Sequence, residues 1–218
     1  MAVSGIVLVL YLLAHMYGNL KIFSGKEAFD DYSHHLRELG EPLLPHTGAL
    51  WIIRVVLLVS IAVHIWAAVS LWRRASKART SQGATGGKRY HTSHNKRGVQ
   101  RSYASFTLRW GGIIIVLFVI YHLLHLTWNV ITPGGASESP YERTVAGFEI
   151  WWVVLSYTIA MLAVGFHLRH GIFSATQTLG YNTARRQLNL NRMATAVAVI
   201  VTVGFLIPPF SILFGLVD

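Results

Sequence analysis

Six histidines stand inside stretches of this 218-residue chain that are otherwise apolar: His15, His64, His122, His125, His167 and His170. An ionisable side chain in such a setting is costly, at least ~2.5 kcal/mol for charged types at the centre of a membrane helix. One such histidine taken alone reads as a hydrogen-bonded packing residue. Four separate apolar segments each supplying one point to a shared task, and paired neutral imidazoles are suited to axial ligation of a haem iron. Two histidine ligands leave no vacant position on the metal, which favours electron transfer over oxygen chemistry. The chain has no cysteine, so thiolate-held iron–sulfur clusters, covalent c-type haem and disulfides are excluded.

The elements that must carry these histidines follow from composition. Hydrophobic residues make up 53% of the chain and charged residues only 13%, too few to cover a water-facing surface, so lipid must be part of the solvent. A helix crosses the hydrocarbon core with about 20 mainly apolar residues. Five segments reach that length: Ala2 to Phe23, Ala49 to Trp72, Leu108 to Ile131, Ile150 to Gly171 and Met193 to Leu216. The expected fold is all-α, a bundle of five transmembrane helices forming a single domain over residues 1–218. The first segment lacks the basic n-region and small-residue cleavage site of a signal peptide and reads as a retained helix. Between the first two spans, Lys26 to Leu39 opens with charges and sets Phe29, Tyr32, Leu36 and Leu39 at helical spacing. This predicts a short amphipathic surface helix on the outer leaflet, ended by Pro42, Pro45 and Gly48.

Charge gives the orientation. Of the 19 Lys and Arg residues, ten lie between Arg73 and Arg109 and four between Arg169 and Arg192, and neither stretch contains any of the nine acids. Basic loops stay in the cytoplasm, so the N-terminus is expected inside and Asp218 outside. Tryptophans agree, with Trp51, Trp128, Trp151 and Trp152 at the outer interface, Trp72 and Trp110 at the inner one, and Trp66 deeper. The net charge of +10 raises nucleic-acid binding, but the Gly/Ser/Thr-rich loop Arg74 to Arg101 is tethered to the membrane at both ends. It reads as a topogenic loop beside anionic lipid or a docked subunit, with no nucleic-acid partner.

Orientation then sets depth. His15, His64, His122 and His167 each lie past the middle of their own span, and alternate spans run in opposite directions. His15 and His122 therefore fall together in the outer half of the bilayer, and His64 and His167 in the inner half. Each pair is level and can hold one haem iron between helices. His125 and His170, one turn beyond His122 and His167, are rivals for the ligand role. They sit nearer water and are assigned a supporting one, such as bonding a propionate or quinone. Arg54, inside the second span, needs a counter-ion, and an outer-haem propionate is the natural one. Arg73, Arg109 and Arg169 are placed to serve the inner haem likewise. A quinone headgroup needs hydrogen-bond partners at the helix ends. The outer candidates are Asp31, His34 and His35 with Arg54, which are favoured for menaquinone; the inner ones are Ser105, Gln177 and His170 with Arg109.

The stretches LLAHMYGNLKIFSGKEAF (His15), SIAVHIWAAVSLW (His64), LRWGGIIIVLFVIYHLLHL (His122) and GFHLRHGIFSATQTLG (His167) resemble a family. It is the cytochrome b subunit (b558 type) of succinate dehydrogenase and fumarate reductase, in the class with one five-helix anchor and two haems b. The resemblance implies axial ligation by these four histidines in the same pairs. It further implies partnership with a flavoprotein and an iron–sulfur subunit on the cytoplasmic face of a bacterial cell membrane, within the tricarboxylic acid cycle. Electrons would pass from the iron–sulfur subunit through the inner and then the outer haem to menaquinone, while succinate oxidation takes place outside this chain. Two departures stand out. Members usually begin with a short cytoplasmic segment, whereas Met1 is nearly in the membrane, so inner-face contacts of that segment are missing or the start is truncated. Members that move protons across the membrane carry a glutamate two residues before the fourth-helix ligand, where this chain has Gly165. The alternatives are a b-type anchor of another quinone-linked dehydrogenase, such as hydrogenase or formate dehydrogenase, and a transporter using histidines as a relay. The first would space its ligands differently, and the second would want intramembrane acids, which are absent between Glu149 and Asp218.

Overall fold

The computed structural model describes residues 1–80, 98–181, 183 and 185–217, with only the backbone described at 75–80 and 98–107. The described residues form helices joined by turns and loops, with no strand among them, and five helices are long and apolar enough to cross a membrane. In chain order they are α1 (Ala2–Leu20), α3 (Gly48–Thr80), α4 (Gly98–His122), α6 (Trp151–Thr178) and α7 (Gln187–Leu213), with the shorter α2 (Lys26–Glu38) and α5 (Pro140–Phe148) between them. The five expected spans are present with shifted ends. α3 continues past Trp72, α6 past Gly171, and α7 begins ahead of Met193. The span around His122 ends early: α4 widens into a π-turn at Leu123–Thr127 and does not reach Ile131. Most of the Arg74 to Arg101 loop, together with Asp218, lies outside the described residues.

α6 is the keel of the bundle. It packs most extensively on α7 and next on α4, while α1 leans on α3, α7 and α6. One buried cluster joins Ala160, Met161, Val164 and Leu168 of α6 to Ala198 and Val201 of α7. Lipid is as apolar as these side chains, so close backbone approach through small residues, rather than hydrophobic burial, holds such helices together. Gly165 is a close point between α6 and α7. A Cβ there would lie 2.4 Å from Thr202 Oγ1. Pro208 and Pro209 lie inside α7 and are buried by their neighbours, and the helix runs on to Leu213.

α3 is attached differently. Its main contacts are with α1 and α2, and none of its apolar membrane-length window is buried.

The segment at the far end of α4 contains a helix that the sequence reading missed. Ser139 accepts a hydrogen bond from Glu142 N at 3.2 Å, with Pro140 in the first turn, the Ser-x-x-Glu start signal of a helix. The resulting α5 roofs a second buried cluster of Tyr141, Val145 and Phe148 with Val153, Val154 and Tyr157 of α6, Ile22 and Ile212. Arg143 of α5 donates to Leu126 O at 2.8 Å, satisfying a carbonyl at the π-turn.

α2 is the helix expected between the first two spans, but protein takes up its half-buried face. Gly25, at φ +88°, turns the chain out of the 3-10 turn Lys21–Ser24 into α2, a conformation open to glycine. Phe29 meets Tyr141 edge-on at 6.1 Å, and a Cβ on Gly18 would lie 3.2 Å from the Tyr32 hydroxyl. Asp30 accepts from Ser139 Oγ at 2.6 Å and from Tyr141 N at 3.0 Å, placing a carboxylate at the positive end of α5. Lys26 pairs with Glu142. That hydrogen bond, aided by Ser137, holds the Glu142 carboxyl below its usual range and raises the Lys26 ammonium. The pair is fully exposed and screened, and contributes little beside Asp30.

Candidate haem and quinone sites

The structure brings the four intramembrane histidines together in two pairs. The rings of His15 (α1) and His122 (α4) have centroids 5.8 Å apart, and those of His64 (α3) and His167 (α6) 6.2 Å apart. Neighbours fix the two levels. His64 lies against Ser4 and Gly5 at the start of α1, and His167 against Gly112, early in the membrane-length stretch Leu108–Thr127. His122 lies against Tyr157 early in α6. Gly112 to His122 and Tyr157 to His167 are each ten residues, so the levels are about 15 Å apart along the helices. That is half of the hydrocarbon thickness of about 30 Å, one level towards each face.

Two imidazole nitrogens bonded to one metal ion from opposite sides, each at about 2 Å, put their ring centroids about 6 Å apart. Both pairs match this. The rings meet at 79° and 56°, and ligation along a shared axis leaves that angle free. Hydroxyls stand at the Nδ1 atoms of two of the four, Ser4 Oγ at 3.3 Å from His64 and Tyr157 OH at 3.3 Å from His122, which leaves Nε2 for the partner side. His167 Nδ1 is buried with no hydrogen-bond partner among the described residues, an arrangement that costs about 1–3 kcal/mol unless something binds there. No group of three or more His, Asp or Glu among the described residues is placed to hold a metal by protein ligands alone. Each pair therefore suits a metal that brings its other ligands with it, as haem does. His15 is steadied by stacking on Tyr11 at 5.3 Å.

The two rivals separate from the pairs. His125 is 1% exposed, covered by α5. Its Nδ1 is 3.0 Å from Tyr157 OH, and a Cβ on Gly147 would lie 2.6 Å from its Nε2. The ring is enclosed by Tyr121, Phe148 and Tyr157. His170 lies with Nδ1 3.0 Å from the Phe166 carbonyl of its own helix.

Arg54, Arg73 and Arg109 lie toward the ends of the apolar stretches of α3 and α4. Arg54 lies over the Trp51 ring at 5.1 Å and Arg109 over Trp72 at 6.0 Å, linking α3 to α4. Arg73 is exposed and Arg169 half-buried. The quinone candidates do not form a closed pocket. Asp31, His34 and His35 are on the exposed flank of α2, where His34 approaches Glu38 at 3.4 Å. Gln177 is exposed near the end of α6, and the side chain of Ser105 lies outside the described residues. Two shallow hollows of about 490 and 380 Å³ are lined elsewhere, by the Asn191–Ile200 face of α7 and by Lys26 with residues of α5 and Glu149.

Ser4 and Tyr157 were not singled out in the sequence, where both read as parts of apolar runs. The usable signal was spacing, a hydroxyl ten residues before His167 on the helix whose ligand belongs to the other level.

No curated protein and no solved structure matches the chain. The family model described as "Succinate dehydrogenase/Fumarate reductase transmembrane subunit" matches residues 91–206, more than half of the 218. His15 and His64 lie outside that stretch. The match runs from ahead of α4 into α7, across the part of the bundle that supplies one histidine of each pair, and the chain belongs to the succinate dehydrogenase/fumarate reductase transmembrane subunits.

Proposed function

We propose that the chain is the dihaem cytochrome b anchor of a bacterial succinate:menaquinone oxidoreductase. His64 with His167 would hold an inner haem b, and His15 with His122 an outer one. The observation that carries this reading is the pair of histidine couples at ligation distance, at two levels, within a membrane subunit of this family. When bound, the haems would supply one-electron transfer between an iron–sulfur subunit docked at the basic loops and menaquinone in the membrane. The chain's own part is to hold and orient. With His64 bound through Nε2, its Nδ1–H donates to Ser4 Oγ, and Ser4 in turn donates to the Met1 carbonyl at 3.0 Å. This fixes tautomer and ring angle. Arg109 and Arg169 offer cations for propionates at the inner end, and Arg54 at the outer. The flavoprotein that oxidises succinate would dock on the same cytoplasmic face as the iron–sulfur subunit.

The purified chain should contain two haems b per polypeptide, with a reduced-minus-oxidised visible spectrum of low-spin b type, and succinate should reduce them when the soluble subunits are present. A protein purified from haem-replete cells with no such spectrum would end the proposal. The orientation has its own check. Tags between Ser24 and Pro45 should be labelled only from outside the cell, and tags between Arg74 and Arg101 only from the cytoplasm. Labelling of both from one side would dissolve the assignment of inner and outer levels.

A further inference from the structure

One hydroxyl stands between two histidines at the outer level, and it is set there tightly. Tyr157 is 6% exposed, its ring meeting Phe118 and Phe148 edge-on at 4.8 Å each. Its oxygen is 3.3 Å from His122 Nδ1 and 3.0 Å from His125 Nδ1. His125 is one of the largest fully buried side chains, and the space it fills exists only because residue 147 is glycine.

Donor and acceptor counting leaves one arrangement once His122 binds a metal through Nε2, a premise taken from the haem reading above. A neutral imidazole bound at Nε2 carries its hydrogen on Nδ1, so His122 donates to the Tyr157 oxygen. The Tyr157 hydroxyl has a single hydrogen, and the remaining acceptor within reach is His125 Nδ1. His125 is therefore the tautomer with its hydrogen on Nε2. The chain runs His122 to Tyr157 to His125 across α4, α6 and the π-turn. Each bond strengthens the one before it.

We propose that Tyr157 is a positioning residue for the outer haem ligand His122, and that buried His125 acts as the fixed acceptor at the end of this chain rather than as a ligand. A hydrogen bond from the far nitrogen of a metal-bound imidazole fixes the ring and increases its donation to the metal, which favours ferric over ferrous iron. Removing the hydroxyl should make the outer haem easier to reduce and leave the inner haem unaffected.

The test uses the holoprotein with both haems counted, redox titration followed in the visible spectrum, and low-temperature electron paramagnetic resonance of the ferric signals. Tyr157→Phe should retain both haems and raise the midpoint potential of one of them. A change on the order of tenfold in its ferric-to-ferrous equilibrium is expected, about 59 mV for one electron, with a shifted resonance for the same centre. His125→Leu should move the same centre in the same direction. His125→Asn, whose side-chain oxygen can still accept from Tyr157, should reverse most of the shift, returning the potential toward that of the unsubstituted protein. Should Tyr157→Phe fail to accumulate, the His125 pair reads the same chain from its other end. Unchanged potentials in both Tyr157→Phe and His125→Leu would overturn the proposal, as would a shift of the other haem. Loss of a haem in His125→Leu would overturn it too, by making His125 a ligand. Absence of haem from the unsubstituted protein is a separate result, and would count against the haem reading itself.

Discussion

Replacing either His64 or His167 by alanine is expected to remove one and the same haem, and replacing either His15 or His122 to remove the other. The expectation rests on the pairing by distance, 6.2 Å for the first couple and 5.8 Å for the second. With one imidazole gone, the metal keeps a single protein bond and a buried, unfilled position, so the remaining haem count should be one per chain in all four variants. The variants divide on which haem persists. Without the inner couple, transfer from the iron–sulfur subunit should stop and quinone reduction fall to background. Without the outer couple, the inner haem should remain and still be reduced by succinate. His125→Ala and His170→Ala should keep both haems. For His125 the cost is structural, since the Tyr157 hydroxyl loses its acceptor and a buried unpaired group is worth about 1–3 kcal/mol. Haem counts and succinate-reduced spectra of the six variants check this, and loss of the same haem from His15→Ala and His64→Ala would refute the pairing.

The second large effect is expected at Gly165, far from any charge. A Cβ at this position would lie 2.4 Å from Thr202 Oγ1 and 3.6 Å from Thr202 Cβ. Threonine is stiff at χ1 and cannot swing aside as a lysine would. Gly165→Ala should therefore destabilise the α6–α7 contact by about 1–3 kcal/mol, the usual cost of overpacking. Gly165→Leu should abolish accumulation of monodisperse protein in detergent. The same changes at Gly171, where a Cβ would meet nothing within 4 Å, should be tolerated. Thr202→Ala should restore Gly165→Ala, because the clashing oxygen is then gone. A double variant no better than the single would show that the close approach is not the cause. The geometry also bears on the glutamate that the resemblance places at this position in proton-moving relatives. Here α7 occupies the space such a side chain would need.

Much of this arrangement was legible before any coordinates. Twenty-residue apolar runs mark spans through bilayer thickness alone. The depths of His15, His64, His122 and His167 then paired them as the helices do. What escaped was anything decided by one element covering another. Ser139–Pro140–Tyr141–Glu142 carries a complete helix start signal, but the nine-residue helix it opens is too short to stand out beside runs long enough to span. Without α5 in view, nothing in the sequence showed that neighbouring side chains would enclose His125. Tyr157 and Ser4 were invisible for a different reason. A hydroxyl in an apolar helix gives no sign of which neighbouring ring it will meet until helix rotation is known. Polar residues at helix ends are easy to collect by level, but that Asp31, His34 and His35 share the exposed flank of α2 depends on the rotation of that helix.

The one-sided attachment of α3 has a consequence for how the bundle comes apart. Stability within a protein is uneven, and segments with few buried contacts open at a lower free-energy cost than the whole. α4, α6, α7 and α5 share two buried clusters, whereas α3 leans on α1 and α2 and buries none of its apolar window in protein. α3 is thus the segment whose opening costs least. It carries His64, so the inner couple depends on the helix whose apolar window is least buried by the rest of the protein.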